Sequence, residues 1–406
     1  MKLFATILAT STMLTLQTGW MNSAQAREDL PIRVGLSDSS RQVTLRVSTG
    51  TPVEVLAPIG WQRLGQLSAN TALQVNYSQG QLKLNIQSDQ QVYKGLRLGQ
   101  TDQEGTLVGL NNTWYRGSIN LTPTARGITV VNEVPLEQYL YSVVPSEMPS
   151  SWPLEALKSQ AVAARTYAIS SLGSYRSKGY DVVATTASQV YLGVKSESNL
   201  STQAVTQTNG EILTHAGKAI HAYFHSCSGG QTESGADLWA PFAYLKSVAD
   251  YDQASPKHVW HTEMSQSEMK SKLANLGVRV GDVLALSTVK RTSSGRVKTL
   301  QVWGKEGQKL VDGAKARVAF GLNSTFFNVG AIDARGELQK KPSADSVPTT
   351  FQFAGRGWGH GLGMSQWGAR QLALNGYAHR DILNHYYPST QLGPLNKAQF
   401  RMAYNP

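Results

Sequence analysis

The chain has 406 residues, 41% hydrophobic and only 16% charged, which excludes a disordered polar protein and allows one large core or two smaller ones. Its single cysteine, Cys227, excludes an internal disulfide framework, so stability has to come from packing. The formal charge of +11 suits an anionic partner. Lys2 precedes an apolar run over residues 3–16 that holds no acidic residue, and Ala24-Gln25-Ala26 supplies small residues at a cleavage position. That pattern predicts a signal peptide over residues 1–26, too short and too broken by threonines for a retained membrane helix. Loss of Lys2 with that segment lowers the formal charge from +11 to +10. The protein is therefore expected to be exported, to the periplasm, cell envelope or medium, without stable membrane insertion. There a basic protein meets an anionic envelope polymer rather than nucleic acid.

Residues 27–113 read as strands and turns. The segments 32–36, 43–47, 73–77 and 82–86 alternate apolar and polar residues, and Gly50, Gly60, Gly65, Gly80, Gly95 and Gly105 punctuate them. The polar faces of these segments hold Arg, Lys, Gln and Asn, with no carboxylate pair or histidine. From Trp114 a strand pair over 115–121 and 127–132 leads into a short helix over 135–141. A long helix follows over 154–172, started by Pro153 with Ser151 or Trp152 as its cap. Its alanines suit close packing against a sheet, and Lys158, Gln160 and Arg165 are expected at its borders. A third helix over 200–208 stops at Gly210. Segments 211–215 and 218–225 form a hairpin around Ala216-Gly217. Residues 265–330 hold one helix, stopped near Gly277, and two basic strands. Residues 340–348 read as a surface loop. A strand over 350–353 then runs through a glycine-rich loop into a helix over 362–374, stopped by Gly376. The fold class is α+β, a β-rich region followed by a mixed α/β region.

The stretch between the short helix and the long helix carries the chemistry. Pro145 and Pro149 flank Glu147 and are expected to keep it out of a helix. An acid catalyst needs a carboxyl kept protonated by a partly apolar setting, and Val143, Val144, Met148 and Trp152 supply apolar neighbours. A carboxylate capping the next helix is the plainer alternative. The loop Gly355-Arg-Gly-Trp-Gly-His-Gly-Leu-Gly-Met-Ser-Gln-Trp-Gly368 does not fit the dinucleotide fingerprint from any start position. It suits a sugar-contacting loop, with Trp358 or Trp367 stacking and His360, Ser365 and Gln366 hydrogen-bonding. A tight structural turn is the alternative. His221, His225 and Cys227 share one parity and would share a face of a strand, yet the two histidines would lie roughly 13 Å apart, too far for one ion.

These residues fall into motifs that resemble the SpoIID/LytB family, the stage II sporulation protein D-like cell-wall enzymes. The motifs are Val131-Asn-Glu-Val-Pro-Leu-Glu-Gln-Tyr-Leu140, Val143-Val-Pro-Ser-Glu-Met-Pro149, Glu155-Ala-Leu-Lys-Ser-Gln-Ala-Val-Ala-Ala-Arg-Thr-Tyr167, Phe224-His-Ser-Cys-Ser-Gly-Gly-Gln-Thr-Glu233 and Gly357-Trp-Gly-His-Gly-Leu-Gly-Met-Ser-Gln-Trp-Gly-Ala369. The resemblance implies a mixed α/β catalytic domain with a groove over 114–392, with 265–348 as an inserted subdomain and 393–406 as a tail. It implies a lytic transglycosylase acting on peptidoglycan glycan strands, preferably after an amidase has removed their peptides. Glu147 would be its acid. Ser146, Trp152, Gln160, Arg165, His225, Ser226, Trp358, His360, Ser365 and Gln366 would contact the glycan, and a cell-wall amidase is the expected partner. Some relatives bind zinc near the Ser-Cys-Ser-Gly-Gly segment. This chain has no second cysteine there, so no cofactor is expected, and His221, His225 and Cys227 are the zinc candidates. The alternatives are a non-catalytic, glycan-binding amidase enhancer and a lysozyme-like hydrolase. A hydrolase would need a second carboxylate, such as Glu133, Glu137, Glu233 or Asp237.

Overall fold

A computed structural model of the chain describes residues 30–85, 92–99, 105–238, 240–339, 343 and 345–396. The expected signal peptide and the end of the expected tail lie outside the described residues, as do Ile86 and part of the loop expected over 340–348. The chain is α+β and its described residues divide into two compact units, one within 30–143 and 172–197 and the other within 144–171 and 198–396. Among the described residues, no helix is long and apolar enough to cross a membrane.

The first unit is built mostly from strands: β1 (Pro31–Ser40), β2 (Gln42–Val47), β3 (Thr51–Ala57), β4 (Gly60–Leu67), β5 (Leu73–Ser78), β6 (Gln81–Leu84), β7 (Val92–Tyr93), β8 (Leu96–Leu98), β9 (Val108–Leu110), β10 (Thr113–Tyr115), β11 (Ser118–Thr124), β12 (Gly127–Pro135) and β13 (Val182–Val183). Among the described residues they form two sheets, ordered β13-β1-β12-β11-β8-β3-β4 and β10-β9-β2-β5-β6-β7. Alternation put these strands where they were expected: Val43, Leu45 and Val47 are buried while the residues between them are not. β11 and β12 pair with β8 and β1, so strands on both sides of residue 113 share a sheet.

β12 leads into α1 (Leu136–Glu147), and this is a correction. The short helix expected over 135–141 continues through Pro145 and ends on Glu147 itself. A proline in the last turn forfeits only one backbone bond, and the turn is still closed by Met148 N–H to the Val144 carbonyl at 2.9 Å. Burial of Tyr139, Leu140, Val143, Val144 and Met148 outweighs that loss.

The second unit holds α2 (Leu154–Ser170), α3 (Asn199–Gln207), β14 (Glu211–His215), β15 (Lys218–Ala219), β16 (Phe224–His225), α4 (Gly235–Leu238), β17 (Val259–Ser265), α5 (Gln266–Asn275), β18 (Val283–Arg291), β19 (Val297–Gly304), β20 (Gly307–Asp312), α6 (Gly313–Phe320), β21 (Phe327–Ile332), β22 (Leu338–Gln339), β23 (Thr350–Arg356), β24 (Met364–Ser365), α7 (Gln366–Leu374), α8 (His379–Tyr386) and β25 (Gln391–Pro394). Pro153 occupies the cap position of α2, without the side-chain cap expected from Ser151 or Trp152. α2 packs against α3, β14, α7 and α8. Ala156, Ala161, Ala163, Ala164 and Ala168 are all fully buried, since a methyl side chain lets neighbours come close from every side.

Three further expectations are corrected here. The second hairpin strand stops at Ala219, and Phe224–His225 pairs in parallel with Met364–Ser365 instead. The helix expected from residue 362 starts at Gln366, because Ser365 accepts from Gly368 N–H as its cap. α6 was not expected at all, although Asp312 caps it by accepting from Lys315 N–H.

A buried charge ties the first unit together. Asp181, almost wholly buried, accepts from Arg33 Nη2 at 2.9 Å, from Arg33 N–H at 3.0 Å and from Gly173 N–H at 3.0 Å. Asp181→Ala strands a guanidinium and two amides, and should lower the unfolding free energy by about 3 kcal/mol. Urea unfolding checks this, and an unchanged midpoint would contradict it.

Candidate active site

The site is assembled in the second unit, where α1 ends and α2 begins. Glu147 and Ser146 are half-buried on the last turn of α1. Pro149 then accepts from Trp152 N–H at 3.0 Å, and Pro153 accepts from Ala156 N–H at 3.0 Å, so two prolines stiffen a tight link. Gln366, the first residue of α7, reaches both helices. Its Nε2 donates to the Glu147 carbonyl at 3.1 Å and to Gln160 Oε1 at 3.3 Å. Gln160 is fully buried on α2, not at its border as expected, and its own Nε2 has no protein partner.

An aromatic wall adjoins this junction in sequence and in space. Trp152 meets Trp367 edge-to-face with ring centroids 4.9 Å apart, and the Arg370 guanidinium lies 5.7 Å and 5.3 Å from the two ring centres. Arg370 was not foreseen. The signal was its position three residues after Trp367 on a helix, which puts both on one face. Trp358 takes no part in this wall. It is 48% exposed, and its backbone pairs with that of Cys227.

The glycine-rich loop is held backbone against backbone. Gly357, Gly359, Gly361 and Gly363 all have positive φ, and a Cβ on Gly363 would stand 2.0 Å from the Tyr223 carbonyl. This approach lets two imidazoles clamp one residue. His225 Nδ1–H donates to the Leu362 carbonyl at 3.1 Å, and Leu362 N–H donates to His360 Nδ1 at 3.0 Å. The rings lie 5.5 Å apart. With its proton on Nδ1, His225 carries a lone pair on Nε2, a buried atom without a protein partner. Burial, and then Arg296, push His225 down to about 3. Burial, and then His225, hold His360 well below its ordinary 6.5.

Other expected contacts are placed differently. Arg165 is a correction: it is fully buried, and donates to the carbonyls of Glu211 at 3.1 Å and Val205 at 3.3 Å, near the end of α3. Its guanidinium thus links α2 to the last turn of α3 and the start of β14. Ser365 is buried as the cap of α7. Ser226 is half-buried and its carbonyl accepts from Trp367 N–H at 3.0 Å.

His221, His225 and Cys227 do not line one strand, because the chain turns irregularly after Ala219. His221 stacks on Tyr223, while burial pushes the Cys227 thiol up to about 11 and its Sγ accepts from Ser255 Oγ. Among the described residues, no three His, Cys, Asp or Glu side chains gather as a metal site.

The Ser-Cys-Ser-Gly-Gly segment rests on a buried polar network that no sequence pattern announced. Asp250 accepts from Ser228 Oγ at 2.5 Å and Tyr386 OH at 2.6 Å, and Asp252 accepts from Gly229 N–H at 2.7 Å. Arg296 Nη2 donates to the Ser228 carbonyl at 2.6 Å. Glu233 is fully buried and accepts from Thr292, Ser294 and Ser234 N–H, and Asp237 accepts from Ser293. Both carboxylates are thus committed to holding loops.

The neutral imidazoles carry a pH consequence. The unfolded chain takes up protons below 6.5 that folded His225 does not accept until about 3, so stability is complete above 6.5 and falls with pH across that window. His225→Asn should flatten that decline. Urea unfolding at several pH values within the window measures both slopes, and equal slopes would contradict the assignment.

A family model described as stage II sporulation protein matches residues 124–215, and a domain of unknown function, DUF8618, matches residues 238–363. Stage II sporulation protein D of Bacillus subtilis is 35% identical over 280 residues, 64% of this chain and 75% of that protein. An uncharacterized protein of Brachyspira hyodysenteriae is 32% identical over 311 residues, 75% of this chain and 78% of that one. The amidase enhancer of Bacillus subtilis is 33% identical over 290 residues, which are 62% of this chain but 40% of the enhancer. With relatives 35% identical over three quarters of their own length, the chain belongs to the stage II sporulation protein D family.

Proposed function

We propose that this protein acts on the cell wall as a lytic transglycosylase of peptidoglycan glycan strands, with Glu147 as acid and then base. One observation carries the reading. The only carboxylate of the Pro-Ser-Glu-Met-Pro junction sits half-buried at a helix end, its carbonyl tied by Gln366, next to the Trp152–Trp367–Arg370 wall. Carbonyl dipoles at a helix C-terminus oppose a nearby negative charge, which suits a carboxyl that must hold a proton. The indoles suit the apolar faces of sugar rings, and Arg370 suits the lactyl carboxylate that amidase action uncovers on each muramyl unit.

In the proposed reaction Glu147 gives its proton to the oxygen between N-acetylmuramic acid and N-acetylglucosamine, and that bond breaks as an oxocarbenium-like state develops. The carboxylate so formed takes the proton of the muramyl 6-hydroxyl, whose oxygen closes a 1,6-anhydro ring on the anomeric carbon. The carboxyl is restored and no water is consumed. Retaining and inverting hydrolysis both need a second carboxylate, and Glu233 and Asp237 are already engaged by hydroxyls and amides. The likeness to an amidase enhancer favours a second reading, a glycan binder that stimulates an amidase. Export, by the basic and apolar segment at residues 2–16, belongs to either reading.

Glu147→Gln keeps the size of the side chain but has no acid proton. It should reduce cleavage of amidase-treated sacculi by about 10³-fold or more while preserving glycan binding. Mass spectrometry of the products decides between the readings. Anhydro-muramyl ends are expected, and hydrolytic ends, or no cleavage by the unaltered protein, would reject the transglycosylase.

A further inference from the structure

A cavity of about 780 Å³ lies away from Glu147, within the region matched by the domain of unknown function. Its floor is one face of the sheet β17-β23-β21-β22. Register sets His261, Ala354 and Asn328 in one row across the strands and Glu263, Gln352 and Gly330 in the next. The two small residues hollow the middle of that face. Leu338 folds over Gly330, where a Cβ would stand 2.5 Å from its Cδ1. On β19, Trp303 forms the opposite wall, 37% exposed, with Nε1–H directed to Ser287 Oγ at 3.4 Å.

A second cavity, of about 230 Å³, shares His261, Asn328 and Ala354 with the first, so the two adjoin. Its far side carries two cations. Arg291 donates to Asn328 Oδ1 at 2.8 Å, and Arg356 lies 4.5 Å over the Phe326 ring. The trough therefore runs from a chamber with one carboxylate, Glu263, and one exposed indole to a cationic end.

We propose that this trough is a second glycan site, holding the strand at a distance from the scissile bond. An exposed indole beside planar amides, an imidazole and a carboxylate suits a sugar ring, which has an apolar face and a polar rim. The chamber takes an N-acetylglucosamine unit on Trp303, and Arg356 takes the carboxylate of the neighbouring muramyl unit. The proposal rests on the cell-wall reading for the identity of the polymer, but not on cleavage.

Binding is measured with full chains that all carry Glu147→Gln, so that turnover cannot interfere. The probes are tetra-N-acetylchitotetraose, which is neutral, and peptide-free glycan from amidase-treated sacculi. Trp303→Ala should weaken both about tenfold, and Trp303→Phe should keep most of the affinity. Arg356→Ala should weaken only the carboxylate-bearing glycan. Ala354→Tyr points outward from the exposed face and should block the trough without disturbing the core, which serves if Trp303→Ala fails to fold. Undiminished binding in the Trp303→Ala or Ala354→Tyr chain would overturn the trough as a glycan site, whatever Glu147 does. So would saturation by free stem peptides in place of glycan. Loss of cleavage in Glu147→Gln with no effect at the trough leaves the catalytic reading standing, which keeps the two failures apart.

Discussion

A primary amide buried away from water must place both its hydrogens on acceptors, and Gln366 places them across three helices. One goes to the carbonyl of Glu147 at the end of α1, the other to Gln160 in the middle of α2, while Gln366 itself begins α7. The position of the acid candidate is therefore set by a side chain more than two hundred residues away. Ser365, by capping α7, fixes where that amide starts, and Ser226, by accepting from Trp367 N–H, fixes the turn that follows. Each of these groups is small and polar, and each acts through the backbone. None has to touch a substrate to matter to the site.

The glycine-rich loop follows from the same economy of space. Its alternating positive-φ glycines lie against the carbonyls of Tyr223, Cys227 and Ser228, an approach that leaves no room for a Cβ. This close packing brings His225 and His360 onto the two sides of Leu362 and buries His225. Desolvation and the nearby Arg296 then keep them neutral, so the loop holds its shape without mobile charge. The buried carboxylates of Asp250 and Asp252 stabilise the facing Ser228-Gly229 turn by accepting from its hydroxyl and amide. The loop pair is a rigid support on which exposed groups such as Trp358 are displayed.

Much of the fold was legible because short-range rules carried it. Period-two alternation marked β1, β2 and β5, and the left-handed pair Ala216-Gly217 marked a turn. α3 was readable from its pattern and ends within a residue of its expected stop. Two misreadings share one cause, a local preference outweighed by burial. Pro145 argued against a helix at Glu147, yet it sits where one bond is lost and several apolar side chains are buried. Gln160 and Arg165 argued for helix borders, yet both found partners inside. α6, with only eight residues, lacked the length for periodicity to speak.

The sequence by itself determined the chemistry available: a carboxylate between two prolines, an alanine-rich helix after it, two tryptophans and a loop in which alternate residues are glycine. Those features act over a few residues, through dihedral restriction and side-chain size, and composition suffices to read them. Tertiary structure alone decided which polar groups serve the site and which serve the fold. Arg165 and Gln366 look alike as polar residues near helices, but one is used up on carbonyls at the end of α3 while the other reaches Glu147. That difference depends on which acceptors lie within about 3 Å after packing, a distance no spacing along the chain encodes.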